Sequence, residues 1–273
     1  MPMTESAAAL RARYGEAAPA TTIPWNPALE LLLSHRSVRA YRPDPLPEGT
    51  LEALVAAAQS AATSSNMQAW SVVAVTDPDS KRRLAAVAGG QRHVEQCPLF
   101  LVFLADLSRH ARLAERTGRP LEGLPFLETF LVAALDAGLA AQNAVVAAES
   151  LGLGTVYIGA LRNDLEAVAA ELGLPPGATA VFGLCVGYPA PDGGAVKPRL
   201  PQSAVLHHER YDPEADMRAL PGYDAALEDF SRGQERSPYT WTQRAMARWG
   251  TLRAMAGRDR LREALGRLGF PLR

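Results

Sequence analysis

The chain is poor in cysteine and in aromatic side chains and carries almost no net charge, and each shortage excludes a class of function. Among 273 residues the cysteines are Cys97 and Cys185. Both sit in apolar, strand-like runs, Cys97-Pro98-Leu99-Phe100-Leu101-Val102 and Phe182-Gly183-Leu184-Cys185-Val186, and read as buried, reduced thiols, not as a disulfide framework. A net charge of −1 offers no overall attraction to nucleic acid or to an anionic membrane, so any electrostatic preference is local. Aromatics amount to 7%. The arginine-rich stretch from Arg244 to Arg273 has little aromatic interleaving beyond Trp249 and Trp241 just before it, too little for a nucleic-acid surface.

Catalytic signatures are missing as well. His35, His93, His110, His207 and His208 show neither zinc-ligand spacing nor a paired acidic partner. There is no Gly-x-Ser-x-Gly elbow and no P-loop. Gly152-Leu153-Gly154 stops short of the dinucleotide fingerprint and follows a helix instead of a strand, which argues against a Rossmann site. Met1 to Pro24 has no apolar core of a signal peptide; it is Ala/Pro-rich, with Glu5, Arg11, Arg13 and Glu16 scattered through it. It is expected to be a loosely held extension (residues 1–25) of a cytoplasmic protein.

What is present is a large apolar fraction, 48%, in segments of alternating character. Helical spacing is expected over Pro27–Ser34, from Pro47 to about Ala62, and from an Asp77 or Asp79 cap to about Ala88. It recurs over Leu107–Arg116 and from an Asn163 cap to Leu172. Trp70–Val75, Pro98–Ala105, Thr155–Ile158 and Thr179–Val186 read as strands. Phe126 to Leu153 holds eight alanines, with Asp136 near its middle. A charge there is costly in lipid, so this is expected to be a helix buried all round inside protein, the central helix of a core or of a subunit interface. Strands alternating with helices predict an α/β or α+β layered sheet. After Gly187 the prolines mark an extended arm, and from about Pro213 the pattern is helical.

Against this frame lie short polar clusters far apart in sequence: His35-Arg36-Ser37-Val38-Arg39, Ser64-Ser65-Asn66-Met67-Gln68, Gly89-Gly90-Gln91, Thr155-Val156-Tyr157-Ile158-Gly159 and Lys197-Pro198-Arg199. Guanidinium, ammonium and hydroxyl groups suit a phosphate. Amides suit the edge of a polar ring, and glycine lets backbone approach it closely. Together they point to a phosphate-bearing flavin.

His35 to Arg39 and Val156 to Gly159, with Ala88 to Val94, Ala141-Gln142-Asn143-Ala144, Ala148 to Gly154, Leu161-Arg162-Asn163, Phe182-Gly183-Leu184-Cys185 and Lys197 to Pro201, carry a resemblance. The chain resembles the nitroreductase family, within it most closely the oxygen-insensitive NADPH nitroreductase and flavin reductase P subgroup. The resemblance covers roughly Leu31 to Trp241. It implies an α+β, three-layer fold, with a mostly antiparallel central sheet flanked by helices, forming one domain over residues 26–273. It further implies a homodimer with extended C-terminal arms, FMN as cofactor, NADPH as reductant and small-molecule electron acceptors. On that resemblance His35, Arg36, Ser37, Arg39, Ser65, Asn66, Gln68, Gln91, Tyr157, Ile158, Gly159, Lys197 and Arg199 would contact FMN, with Arg39 stabilising charge on the reduced flavin. Arg232, with Arg236 and Arg258 as further choices, would meet the 2′-phosphate of NADPH. The family's second glycine after Tyr-Ile-Gly is Ala160 here, which matters if that position needs a positive φ. The Ser64–Gln68 segment is shorter than the subgroup's. Reductive dehalogenation, flavin degradation and non-catalytic redox sensing are the alternatives that the same flavin site allows.

Overall fold

Leu99-Phe100-Leu101-Val102-Phe103-Leu104 presents no polar face, so a strand built from it must be covered on both sides. The computed structural model describes residues 4–20, 23–191, 194–234 and 237–273, and in it that strand lies inside a sheet covered on both faces. Along the chain run α1 (Glu5–Tyr14), α2 (Pro27–Ser34), α3 (Thr50–Gln59), β1 (Trp70–Val75), α4 (Pro78–Val87), α5 (Arg92–Gln96), β2 (Leu99–Asp106) and α6 (Ser108–Thr117). They are followed by α7 (Leu127–Ser150), β3 (Gly154–Ile158), α8 (Leu165–Leu172), β4 (Ala178–Gly187), α9 (Ala215–Gln234), α10 (Trp241–Trp249) and α11 (Leu261–Arg267). They divide into two compact units, Met1–Arg36 with Gly194–Ala254, and Ser37–Gly193 with Met255–Arg273.

The larger unit is built on a four-stranded sheet of order β1-β2-β4-β3, every pair antiparallel. Period-two alternation sends Leu99, Leu101 and Phe103 to one face, where they meet Leu54 of α3 and the alanines of α7. Phe100, Val102 and Leu104 point the other way, onto Leu84 of α4, Val94 of α5, Val168 of α8 and Leu265 of α11. Helix, sheet and helix thus form the three layers expected of an α+β fold. Burying a leucine or phenylalanine side chain stabilises by about 1.5–3 kcal/mol, so these two apolar layers supply most of the drive to fold.

Within this chain, helix α7 is covered on one side. Ala137, Ala140, Ala141, Ala144 and Ala148 are fully buried, small enough to let the helix lie close on the sheet. Its other face is open: Leu127, Leu131, Leu135 and Leu139, four residues apart, are 46–66% exposed. The helix is long and apolar enough to cross a membrane by length and composition, but one side of it packs on the sheet. A helix apolar all round is therefore not buried all round in this chain. The cap of α8 differs from expectation. Asp164, not Asn163, accepts from the Ala167 N–H (3.0 Å), and Asn163 instead donates to the Val87 carbonyl (3.2 Å).

In the smaller unit the N-terminal segment forms a helix instead of a loose tail. Thr4 caps α1 by accepting from the Ala7 N–H, and Leu10 and Arg13, three apart and so on one face, are buried. α1 packs on α2, and α10 on α9. Thr240 and Gln243 close a capping box at the start of α10. Residues 194–201 form neither helix nor strand.

Candidate functional site

In the larger unit the segment after Ser37 is docked on the edge of the sheet. Ser37 bridges Thr155 of β3, the Val38 N–H donates to the Thr155 carbonyl (2.8 Å), and the Tyr41 hydroxyl donates to the Val38 carbonyl (2.7 Å). Val38 is buried, so the extended backbone turns its neighbours Ser37 and Arg39 outward, and both are exposed. The close approach requires glycine at position 154, where a Cβ would stand 2.5 Å from a Val38 methyl.

Two further clusters belong to the same unit. Gly89 and Gly90 take positive φ (78° and 75°) in the turn before α5, and the Gln91 amide donates to the Ala88 carbonyl (2.9 Å), which fixes that side chain. Burial, with the nearby Arg39 guanidinium, holds His93 below its ordinary pKa. His93 Nε2 is a buried atom without a hydrogen-bond partner among the described residues. Arg39 and His93 thus come together, and His93 is a candidate that sequence reasoning passed over. On β3, Tyr157 is partly exposed and stands edge-on to Phe182 (4.9 Å, 89°), while the Ile158 side chain is buried, leaving its backbone as the group on offer. The Arg162 guanidinium covers Gly159. Ala160 has no positive φ, so alanine fits that position without strain.

The loop Ser64–Ala69 is strained. Ser65, Asn66 and Gln68 all have left-handed backbone, φ 49°, 57° and 49°, a conformation that costs a non-glycine residue about 1 kcal/mol or more. Asp136 holds it there. Its buried carboxylate accepts from the Ser64 N–H (3.0 Å) and the Ala69 N–H (3.3 Å), pinning both ends of the loop. The signal in the sequence is an acid near the middle of an apolar, alanine-rich helix. Arg109 donates to the Gln68 carbonyl (2.8 Å). A cavity of about 540 Å³ opens beside this loop, lined by Ser64, Met67, His110, Leu121 and Val132 among others.

In the smaller unit, His35 caps the C-terminal end of α2 and Arg36 follows it, both half-buried. Lys197 donates to the Tyr239 hydroxyl (2.9 Å) and lies over the rings of Phe230 (5.4 Å) and Tyr239 (5.6 Å). The exposed Arg199 side chain folds onto the carbonyls of Lys197 and Pro198. Arg13 reaches the carbonyls of both His35 (2.7 Å) and Lys197 (2.8 Å), so this unit does gather His35, Lys197 and Arg199. Arg232 forms an exposed i,i+4 ion pair with Glu228 (3.1 Å). Arg236 lies outside the described residues. Arg258 belongs to the larger unit and donates to the Met255 carbonyl (2.8 Å).

Taken unit by unit, the donors suit parts of a flavin mononucleotide: the smaller unit gathers cations of the kind that bind a phosphate, and the larger unit offers a hydroxyl, amides and, beside the Arg39 guanidinium, a buried imidazole nitrogen without a partner among the described residues. Among the described residues no three His, Cys, Asp or Glu side chains cluster as a metal site.

Comparison with known proteins gives the same direction. The sequence pattern of the nitroreductase family matches residues 32–188, and that of the nitroreductase family, C-terminal domain, matches residues 197–273. The FMN reductase (NADPH) of Bacillus subtilis is 42% identical over 226 residues, 81% of this chain and 90% of that protein. The oxygen-insensitive NADPH nitroreductase of Salmonella typhimurium is 40% identical over 219 residues, 80% of this chain and 88% of that protein. Among solved structures, the NADPH:FMN oxidoreductase from Vibrio harveyi complexed with NAD+ superimposes with a TM-score of 0.79 at 35% identity, covering 91% of this chain and 100% of that one.

Proposed function

Because the chain belongs to the nitroreductase family, we propose that it is an FMN-dependent NADPH oxidoreductase passing hydride to nitroaromatics, quinones or free flavin in two alternating half-reactions. The observation that carries this is the 42% identity, over nine-tenths of its length, to a relative named for FMN reduction by NADPH. FMN, when bound, supplies a two-electron carrier between a reduced nicotinamide and an acceptor.

The chain's own residues bind, orient and balance charge. In the smaller unit, His35, Arg36, Lys197 and Arg199 are assigned to the FMN phosphate, where charge-assisted hydrogen bonds hold best. In the larger unit, the Ser37 hydroxyl joins that role. Arg39 is assigned to the N1–C2=O edge of the flavin, where a fixed cation favours the negative charge of the reduced form. Ser65, Asn66, Gln68 and Gln91 are assigned to polar atoms of the cofactor. Tyr157, Ile158 and Gly159 line it, Ile158 through its backbone. Arg232 is assigned to the 2′-phosphate of NADPH, with Arg236 and Arg258 as secondary contacts. No covalent nucleophile is required.

The enzyme is proposed to act as a cytoplasmic homodimer. The exposed Leu127, Leu131, Leu135 and Leu139 of α7 form an apolar stripe that a second copy would cover. One experiment tests the function. Mixed anaerobically with NADPH, the flavin-loaded protein bleaches, and colour returns when a nitroaromatic or quinone is added. Flavin that stays yellow with both NADPH and NADH rules the oxidoreductase out.

A further inference from the structure

Helix α1 precedes the residues that the family pattern matches, yet in the smaller unit it is fastened to the segments assigned to the phosphate. Arg13 is 5% exposed. Its Nη1 donates to the Lys197 carbonyl (2.8 Å), and its Nη2 to the carbonyls of Leu33 (2.7 Å) and His35 (2.7 Å). Its own carbonyl accepts from the Arg199 N–H (2.9 Å). The first two strands of this contact make physical sense separately. Leu33 and His35 lie at the C-terminal end of α2, where the last carbonyls have no partner within the helix and a cation is favoured. Residues 197–199 lie in a stretch with neither helix nor strand, so that stretch has no ladder of its own to fix its backbone. The Tyr223 hydroxyl donates to the Pro198 carbonyl (3.2 Å), and Arg13 anchors the backbone on each side of Pro198, at the Lys197 carbonyl and the Arg199 N–H.

We propose that Arg13 is a positioning residue, which sets the Lys197–Arg199 arm against His35-Arg36 so that their charged groups converge on a phosphate, and that the N-terminal helix thereby serves cofactor retention. The planar guanidinium has the geometry for this, because its donors point in fixed, divergent directions and can bind carbonyls from separate segments at once. Fixing the arm before the ligand arrives removes an ordering cost that binding would otherwise carry. The inference rests on the assignment of Lys197 and Arg199 to the FMN phosphate.

The test compares FMN with riboflavin, which has the same ring and ribityl chain but no phosphate. Dissociation constants for both are measured on the full-length apoprotein and on Arg13→Ala, Arg13→Lys and the double variant Lys197→Ala/Arg199→Ala. The expected result for Arg13→Ala is FMN affinity lowered about ten-fold with riboflavin affinity unchanged. Arg13→Lys, which keeps the charge and loses the fork, shifts the FMN-to-riboflavin ratio in the same direction by less, and it decides the matter if the alanine variant does not fold. Equal loss for both ligands, or loss for neither, overturns the clamp. The double variant isolates the underlying assignment: if its ratio stays at the wild-type value, the phosphate reading fails and the clamp with it. A collapsed ratio there and a wild-type ratio in both Arg13 variants removes the clamp alone.

Discussion

The cation arm of the smaller unit and the Ser64–Ala69 loop of the larger one both carry polar groups assigned to FMN, but they are held by opposite means. Lys197 rests among Tyr239, Phe230 and the Arg13 contact, all of them side chains reaching to an otherwise irregular stretch. Ser65, Asn66 and Gln68 stand in disfavoured backbone conformations, with both ends of the loop pinned by one buried carboxylate and the Gln68 carbonyl held by Arg109. Flexible cations are cheap to fold and costly to order, so bracing them acts on affinity. A strained loop stores its cost in the native state, so loosening it acts on folding first.

That contrast can be broken most severely at Asp136. Asp136→Ala leaves the Ser64 and Ala69 amides without acceptors, at a cost of about 1–3 kcal/mol each. Urea unfolding should show a fall in stability of that size, and the loop's positive φ values should relax. A variant as stable as wild type would mean that the loop holds itself. Next in size is Gly154→Ala, whose methyl group meets Val38. Overpacking of this kind costs about 1–3 kcal/mol, and adding Val38→Ala should recover most of it, as thermal melts would show.

A smaller effect is expected in the smaller unit. Arg232→Ala should raise the KM for NADPH about five-fold, roughly 1 kcal/mol, with little change for NADH. An equal rise for both nucleotides would separate Arg232 from the 2′-phosphate. The smallest effect concerns pH. Hydrogen bonds from Arg83 and Ser80 lower Glu171 from its ordinary value of 4.5 to about 2. A depressed carboxylate contributes stability that is present above its unfolded pKa and is lost as pH falls toward its folded one. Stability should therefore decline between about pH 4.5 and 2, and Glu171→Gln should flatten that part of the curve. An identical acid profile in the variant would show that the pair is neutral.

Much of the fold could be read locally. The strands at residues 70–75 and 99–106 and the helix at 27–34 follow from apolar periodicity and caps, which involve neighbours in sequence. The motif Ser37-Val38-Arg39 was legible as a polar cluster, but its docking beside Thr155 was not, because the need for glycine at 154 arises only when two distant segments meet. Asp136 was visible as a misplaced charge, and its partners, some seventy residues away, were not. Arg13 looked like one of several scattered charges on a loose tail, since nothing nearby marks it as buried. Whether the apolar stripe of α7 belongs to a core or to a subunit interface is not legible in the sequence, because composition reports how apolar a helix is and not how many of its sides this chain covers.

Local patterning by itself determined which segments become strand or helix, and which residue types were available for a phosphate and a flat ring. Short-range sterics and solvent preference act within a few residues, so a single sequence suffices to read them. Only the tertiary structure decided which carbonyls Arg13 would bind, which amides Asp136 would hold, and which side of α7 would face outward. Those outcomes depend on contacts between segments far apart along the chain, whose geometry exists only after the sheet and its two helical layers have assembled.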